Sequence, residues 1–179
     1  EADASLGGND KGRSLQLYRG AVDRLAALPG VKSASIASVV PFGFQSIERA
    51  VLRAGLTPGK EDKPATAAEG LAYRARWNSV GADYFSAVGL PLLRGRAFTQ
   101  SETDSPGAPA VAIIDEALAR KLWPDGDAFG QHLQFAGRDA PRAAGGGNSG
   151  TMGASSSISA TPEDAKSIEV VGIVPNTRW

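Results

Sequence analysis

The sequence has no cysteine, one histidine, one methionine and no excess of either charge. Without thiols, disulfides, thiolate nucleophiles and Cys-based zinc sites are excluded. A lone His132 rules out a multi-histidine metal centre and leaves one position for a histidine-assisted nucleophile. Lys plus Arg (19) equals Asp plus Glu (19), so the basic excess that nucleic-acid binders use to displace counterions is missing. No apolar run approaches the ~18 residues that cross a bilayer. What is present is an ordinary globular composition of 179 residues, 42% apolar and 21% charged, which suits one domain or two small lobes. The polar start (EADASLGGNDKG) carries no signal-peptide pattern, and the end (IEVVGIVPNTRW) stops just after a strand pattern. Both ends read as those of a segment cut from a longer protein.

Residues 13–28 set Leu15, Tyr18, Val22 and Leu25 at helical spacing, with Leu17, Ala21 and Leu28 nearby. Arg13, Gln16, Arg19, Asp23 and Arg24 fall mainly to the other side, which predicts an amphipathic helix packed by its apolar face and ended by Pro29-Gly30. VKSASIASVV (31–40) reads as a strand closed by Pro41, and 47–53 as another. Residues 55–70 read as an exposed loop. In LAYRARWN (71–78), Leu71, Tyr73, Ala75 and Trp77 alternate with polar or small residues, the mark of a strand with one buried face. A short helix over 82–88 ends at Gly89, and LPLLRGRAF (90–98) is an extended segment broken by Gly95. TQSETDSPGAP (99–109) reads as an acidic turn-rich loop, and AVAII (110–114) as a strand buried on both faces. Asp115 is placed to cap the helix EALARKLW, which Pro124 stops. QHLQF (131–135) alternates with Leu133 and Phe135 inward, and IEVVGIV (168–174) is a β-branched strand. Between them 136–167 is Gly-, Ala- and Ser-rich, and its small apolar content predicts a flexible loop. The pattern predicts an α+β fold, a mixed sheet with packed helices.

Chemical motifs were weighed against plainer readings. Gly145, Gly147 and Gly150 match a dinucleotide-binding spacing but lie in a Gly/Ser tract without the strand and helix that would hold pyrophosphate. Ser149 lacks the strand-turn-helix of a nucleophile elbow. Asp125-Gly126-Asp127 lacks the later ligands of a calcium loop and reads as a turn after a helix. His132 reads as a solvated strand residue. The pairs Glu61/Asp62, Glu102/Asp104 and Glu163/Asp164 fall in segments read as loops, where charges are solvated. Arg74 and Arg76 beside Trp77 are weak ground for a nucleic-acid patch in a neutral protein. No catalytic, cofactor or metal residue is assigned.

Three stretches in order carry a resemblance: VGADYFSAVGLPLLRGRAFTQSE (80–102), PAVAIIDEALARKLWPDGDAFGQHLQF (109–135) and IEVVGIVPNTRW (168–179), preceded by LAALPGVKSASIASVVPFG (25–43). Together they resemble the MacB-like periplasmic core domain of FtsX-type ABC transporter permeases. Asp115 stands where Asn is common in that family, and Ala128-Phe129 replaces a usual Pro-Ile. The resemblance implies a periplasmic domain tethered to the bacterial inner membrane by transmembrane helices outside this segment. It implies a second permease protomer, a cytoplasmic ABC ATPase that binds and hydrolyses ATP, and a periplasmic protein or cargo to which movement is relayed. It also implies two lobes: a membrane-proximal one from 13–78 with 168–179, and an inserted α/β one over 79–135.

In that frame Tyr84, Phe85, Leu92, Leu93, Phe98, Leu118, Leu122 and Trp123 are expected to bury apolar area. Gly89, Gly95, Gly130 and Gly172 are expected to serve tight backbone geometry, and Arg96 and Pro124 belong to the same structural motif. Phe42 and Phe44, flanking Gly43, are the candidate partner contacts, with the 99–108 loop beside them. Two other classes compete: a free-standing secreted binding module, and a hydrolase built on His132 and an acidic loop residue.

Overall fold

A computed structural model describes residues 11–40, 46–56, 66–105, 107–136 and 167–176, with backbone only for 11–15. In chain order the elements are α1 (Lys11–Ala26), β1 (Ile47–Arg53), a 3-10 turn (Ala67–Glu69), β2 (Tyr73–Trp77), α2 (Tyr84–Ala87), β3 (Arg94–Gly95), α3 (Gln100–Asp104), β4 (Val111–Asp115), α4 (Glu116–Leu122), β5 (His132–Phe135) and β6 (Ile168–Val174). The six strands form one sheet in the order β2-β1-β5-β6-β3, with β4 also paired to β6. All pairs are antiparallel except β4 with β6, so the α+β, mixed-sheet class is observed.

β6 is the hub because its residues suit a strand enclosed on both sides. Val170, Val171 and Val174 are buried, and it pairs with β3, β4 and β5. The register of β4 on β6 steps from Ala112–Val170 to Ile113–Gly172, which leaves Val171 as an extra residue and bends the strand. One sheet face carries Val51, Leu133 and Val170 under Ile114, Ala119, Leu122, Trp123 and Ala128, with Tyr73, Ala75 and Phe135 at its margin. The opposite face holds a smaller cluster of Ala50, Leu52 and Ala72. The period-2 reading of 71–78 therefore holds: Tyr73, Ala75 and Trp77 face in while Arg74 and Arg76 are exposed. Asp115 caps α4 by accepting from Leu118 N at 2.7 Å. A second anchor is Asn176, whose Oδ1 accepts from Ala117 N at 2.9 Å and ties the end of β6 to the start of α4. At the other end of α4, Arg53 Nε donates to the Leu122 carbonyl, placing a cation where the helix dipole is negative.

Four expectations need correction. Residues 31–40 are not a regular strand: Ala37 and Val80 form an isolated bridge, flanked by Gly81 N to Ile36 O at 2.9 Å and Ser38 N to Ser79 O at 2.8 Å. The ladder stops there because the Asn78 side chain takes the next pairing position. Its Oδ1 accepts from Val39 N at 2.9 Å and its Nδ2 donates to Val39 O at 2.7 Å, imitating a partner peptide. The 99–109 segment is not all loop, since α3 occupies Gln100–Asp104. β4 is less enclosed than expected; Ile114 is buried but Val111, Ala112 and Ile113 are half-buried, as suits a strand paired only to β6 among the described residues. Finally, the apolar stripe of α1 is covered only in part: Tyr18 and Val22 are half-buried, but Leu17 and Leu25 are each 53% exposed, and Leu28, just past the helix end, is 52% exposed.

Candidate interaction surface

The residues of the structural motif divide by depth. Leu122 and Trp123 are buried, Tyr84, Phe85, Leu92, Phe98 and Leu118 are half-buried, and Leu93 is exposed at 52%, contrary to expectation. Leu93 sits outside because its backbone, not its side chain, is used: its N–H donates to Ile173 O at 2.8 Å. Tyr84, Phe85 and Phe98 form a chain of tilted and edge-on rings, 5.4 Å and 6.0 Å apart. Partial burial raises the Tyr84 hydroxyl above its ordinary pKa, against a hydrogen bond with Asn78 that lowers it. Gly95, at φ +81°, lets β3 lie against β6. A Cβ there would collide with the Val171 carbonyl and stand 2.8 Å from both Gly172 Cα and Phe129 Cε2.

Polar side chains fasten elements to one another. Arg96 and Glu102 form a two-pronged pair, Nη1–Oε2 at 2.8 Å and Nη2–Oε1 at 2.7 Å. Glu102 also closes a capping box on α3, accepting from Thr99 N at 2.8 Å while its own N–H donates to Thr99 Oγ1 at 3.3 Å. The Arg96 bond, with help from Thr99 and against the opposing effect of desolvation, holds the Glu102 carboxyl at a pKa of about 2. Its partner Arg96 is raised for the same reason. Asp104, two residues on, turns to α1: Arg19 Nη2 donates to Asp104 O at 2.6 Å and Arg19 Nε lies 3.3 Å from Asp104 Oδ1. The reading of Glu102 and Asp104 as solvated loop charges is thus replaced by paired groups on a helix. Glu48 lies 2.7 Å from Arg74 and 3.9 Å from Arg76, so those two arginines face a carboxylate on the neighbouring strand.

The remaining chemical candidates stay apart. His132 is exposed on β5 opposite Glu169, with no carboxylate pair built around it among the described residues. Asp127 lies 2.5 Å from Arg94 and its Oδ1 accepts from Phe129 N, the work of a turn. No group of three or more His, Asp or Glu is placed to hold a metal among the described residues. Gly145, Gly147, Ser149 and Gly150, Glu61/Asp62, Glu163/Asp164, and the candidate contacts Phe42 and Phe44 lie outside the described residues, as does most of 136–167.

Sequence reasoning missed three groups that organise the surface: Asn78, Asn176 and the Arg19–Asp104 pair. Only Thr99-x-x-Glu102 offered a local signal, the spacing of a capping box. Between α1, residues 34–36, residues 81–83 and α3 lies a shallow cleft of about 50 Å³. Among the described residues, Arg19 Nε, 3.3 Å from Asp104 Oδ1, and Ser35 Oγ are buried in that region without an aligned hydrogen bond.

The described residues define an α+β domain whose charged groups join its parts and whose first helix keeps Leu17 and Leu25 exposed. This chain belongs to the MacB-like periplasmic core domain family, whose model matches residues 5–178. It is thus a periplasmic domain of the ABC transporter permease type. Among solved structures it is similar to the periplasmic region of MacB from Actinobacillus actinomycetemcomitans, at 14% identity and a TM-score of 0.46. That match covers 88% of this chain and 50% of the MacB chain, so the present chain spans about half the length of that structure. No curated protein matches it. No helix of the described residues is long and apolar enough to cross a membrane.

Proposed function

We propose that this domain is a mechanical relay on the periplasmic side of a bacterial inner-membrane permease. A cytoplasmic ABC ATPase binds and hydrolyses ATP, the transmembrane helices move, and this domain passes that movement to a periplasmic protein or cargo. The observation that carries the reading is the family match over residues 5–178, nearly the whole chain. The fold supports it physically. A lever needs a stiff centre, and here a continuous sheet with a packed α4 is held by buried Leu122, Trp123 and Val170. The sheet joins strands of both expected lobes, 13–78 with 168–179 and 79–135, so in the relay they move as one body, and Phe42 and Phe44 are contacts to the partner.

The first test is the coding DNA on either side of this segment. The relay requires an apolar stretch of ~20 residues shortly before Glu1 and further ones beyond Trp179. A cleavable signal peptide followed by a nearby stop codon would instead make the chain a secreted binding module. The second test uses the full-length permease with its ATPase in proteoliposomes. Spin labels at Lys121 of both protomers are expected to change separation between ATP-free and vanadate-trapped states. An unchanged separation refutes the relay.

A further inference from the structure

We infer that α1 is a hinged strap, fastened to the body by Arg19 and Asp104 and free to swing about Pro29-Gly30 when that fastening opens. Arg19, Val22 and Asp23 face the cleft formed with residues 34–36, 81–83 and α3. Apolar burial of α1 is limited: Tyr18 and Val22 are half-buried, Leu17 and Leu25 face solvent, and so does Leu28 just past the helix end. Docking therefore leans on polar contact, and that contact is imperfect. Arg19 reaches the Asp104 carbonyl and lies against its carboxylate, yet Arg19 Nε and Ser35 Oγ are buried without aligned partners among the described residues. A polar joint with unsatisfied groups gains more from rehydration on opening than an apolar joint does.

The flanking chain has the form a swinging element requires. Gly30 holds φ +85° with nothing within 4 Å of where a Cβ would stand, and the turn is closed by one bond, Val31 N to Leu28 O at 3.1 Å, so opening that bond frees rotation there. From Ile36 the chain is pinned: Gly81 N donates to Ile36 O at 2.9 Å, Ala37 bridges Val80, Asn78 grips Val39 from both its amide groups, and Ser38 Oγ donates to Asn78 Oδ1 at 2.8 Å. Movement of α1 is thus confined between the fastening at Arg19 and the pin that begins at Ile36–Ala37. This is a property of the chain itself and stands whether or not ATP drives the domain, so its failure and failure of the relay are separate results.

The absence of cysteine makes the test direct. Spin labels are placed at Gln16 on α1 and Lys121 on α4, with Ser86 and Lys121 as a reference pair within the body. The unaltered background is expected to give one docked distance. Asp104→Asn, or about 1 M salt, is expected to add a second, longer population while the reference pair stays unchanged. The charge-exchanged double variant, Arg19→Glu with Asp104→Arg, is expected to restore the docked distance. A single unchanged distance under all conditions overturns the strap. So does a longer distance that the exchange does not restore, or one accompanied by broadening of the reference pair, which would report unfolding.

Discussion

Replacing Gly95 by alanine puts the close approach of β3 to β6 to a quantitative test. Two effects separate. The first is conformational: a residue with a Cβ at φ +81° bears a cost of about 1–2 kcal/mol. The second is steric, because the new methyl meets the Val171 carbonyl and Gly172 Cα, and backbone cannot rotate away as a side chain can. Relief requires β3 to lift, which breaks Leu93 N to Ile173 O (2.8 Å) and Arg96 N to Val171 O (2.9 Å), about 1 kcal/mol net each. The sum is about 3–4 kcal/mol, a large part of the 5–15 kcal/mol that typically holds a domain together. Gly130→Ala supplies the control, since Gly130 has φ +75° but nothing within 4 Å of its missing Cβ. Urea unfolding followed by circular dichroism should show Gly95→Ala destabilised by about 2 kcal/mol more than Gly130→Ala. Equal losses in the two variants would show that the approach is not rigid and refute the steric reasoning.

Three further outcomes are expected. Leu122→Ala removes a side chain with no exposed area at the centre of the main core and should cost about 2–5 kcal/mol in the same urea assay. Asn78→Ala should raise hydrogen exchange at the Val39 amide by about tenfold or more, as its Oδ1 acceptor is lost, while exchange within β6 stays unchanged. Glu102 has a folded pKa of about 2 against an ordinary 4.5, so its contribution is complete above pH 4.5 and fades as pH falls towards 2. With Arg96 half-exposed to screening water, that contribution is about 1–2 kcal/mol, and Glu102→Gln should flatten this part of the stability–pH curve.

What could be read from the sequence was whatever a few neighbouring residues decide. Tyr73, Ala75 and Trp77 alternate with arginines, and the strand follows with its faces in the expected order. Asp115 before EALARKL and the β-branched run of β6 are similarly local. The failures occur where a partner distant in sequence decides. VKSASIASVV has the composition of a strand, but its pairing is cut short by an amide from residue 78. The α1 pattern is amphipathic and Tyr18 and Val22 turn inward, yet Leu25 of the same stripe is exposed where Arg19 meets Asp104, 85 positions away. α3 has no apolar periodicity at all; its cap and Arg96 stabilise it, and Pro106-Gly107 make the region read as a turn. Of the candidate surface, the motif residues were visible as a family pattern, while the pairs that fasten it were not.

Those pairs are arranged in series, which leads to a prediction about coupling. Glu102 and Asp104 sit two residues apart on α3, one bound to Arg96 beside β3 and the other to Arg19 on α1. A five-residue helix has little intrinsic stability, so its shape depends on the Thr99–Glu102 capping box and the Arg96 pair. If Glu102 loses its charge, its side chain can still cap the first turn, but α3 loses the ion pair that ties it to Arg96, and Asp104 loses part of the frame that presents it to Arg19. Glu102→Gln should therefore lengthen the Gln16–Lys121 spin-label distance in part of the population, although residue 102 does not pair with α1. Distance itself is not evidence of coupling; a shared two-state element is. The decisive comparison is a double-mutant cycle on the undocked fraction. If Glu102→Gln and Asp104→Asn act independently, their effects on the docking free energy add, and α3 does not link β3 to α1. If α3 is the link, the double variant should undock α1 no further than Asp104→Asn alone.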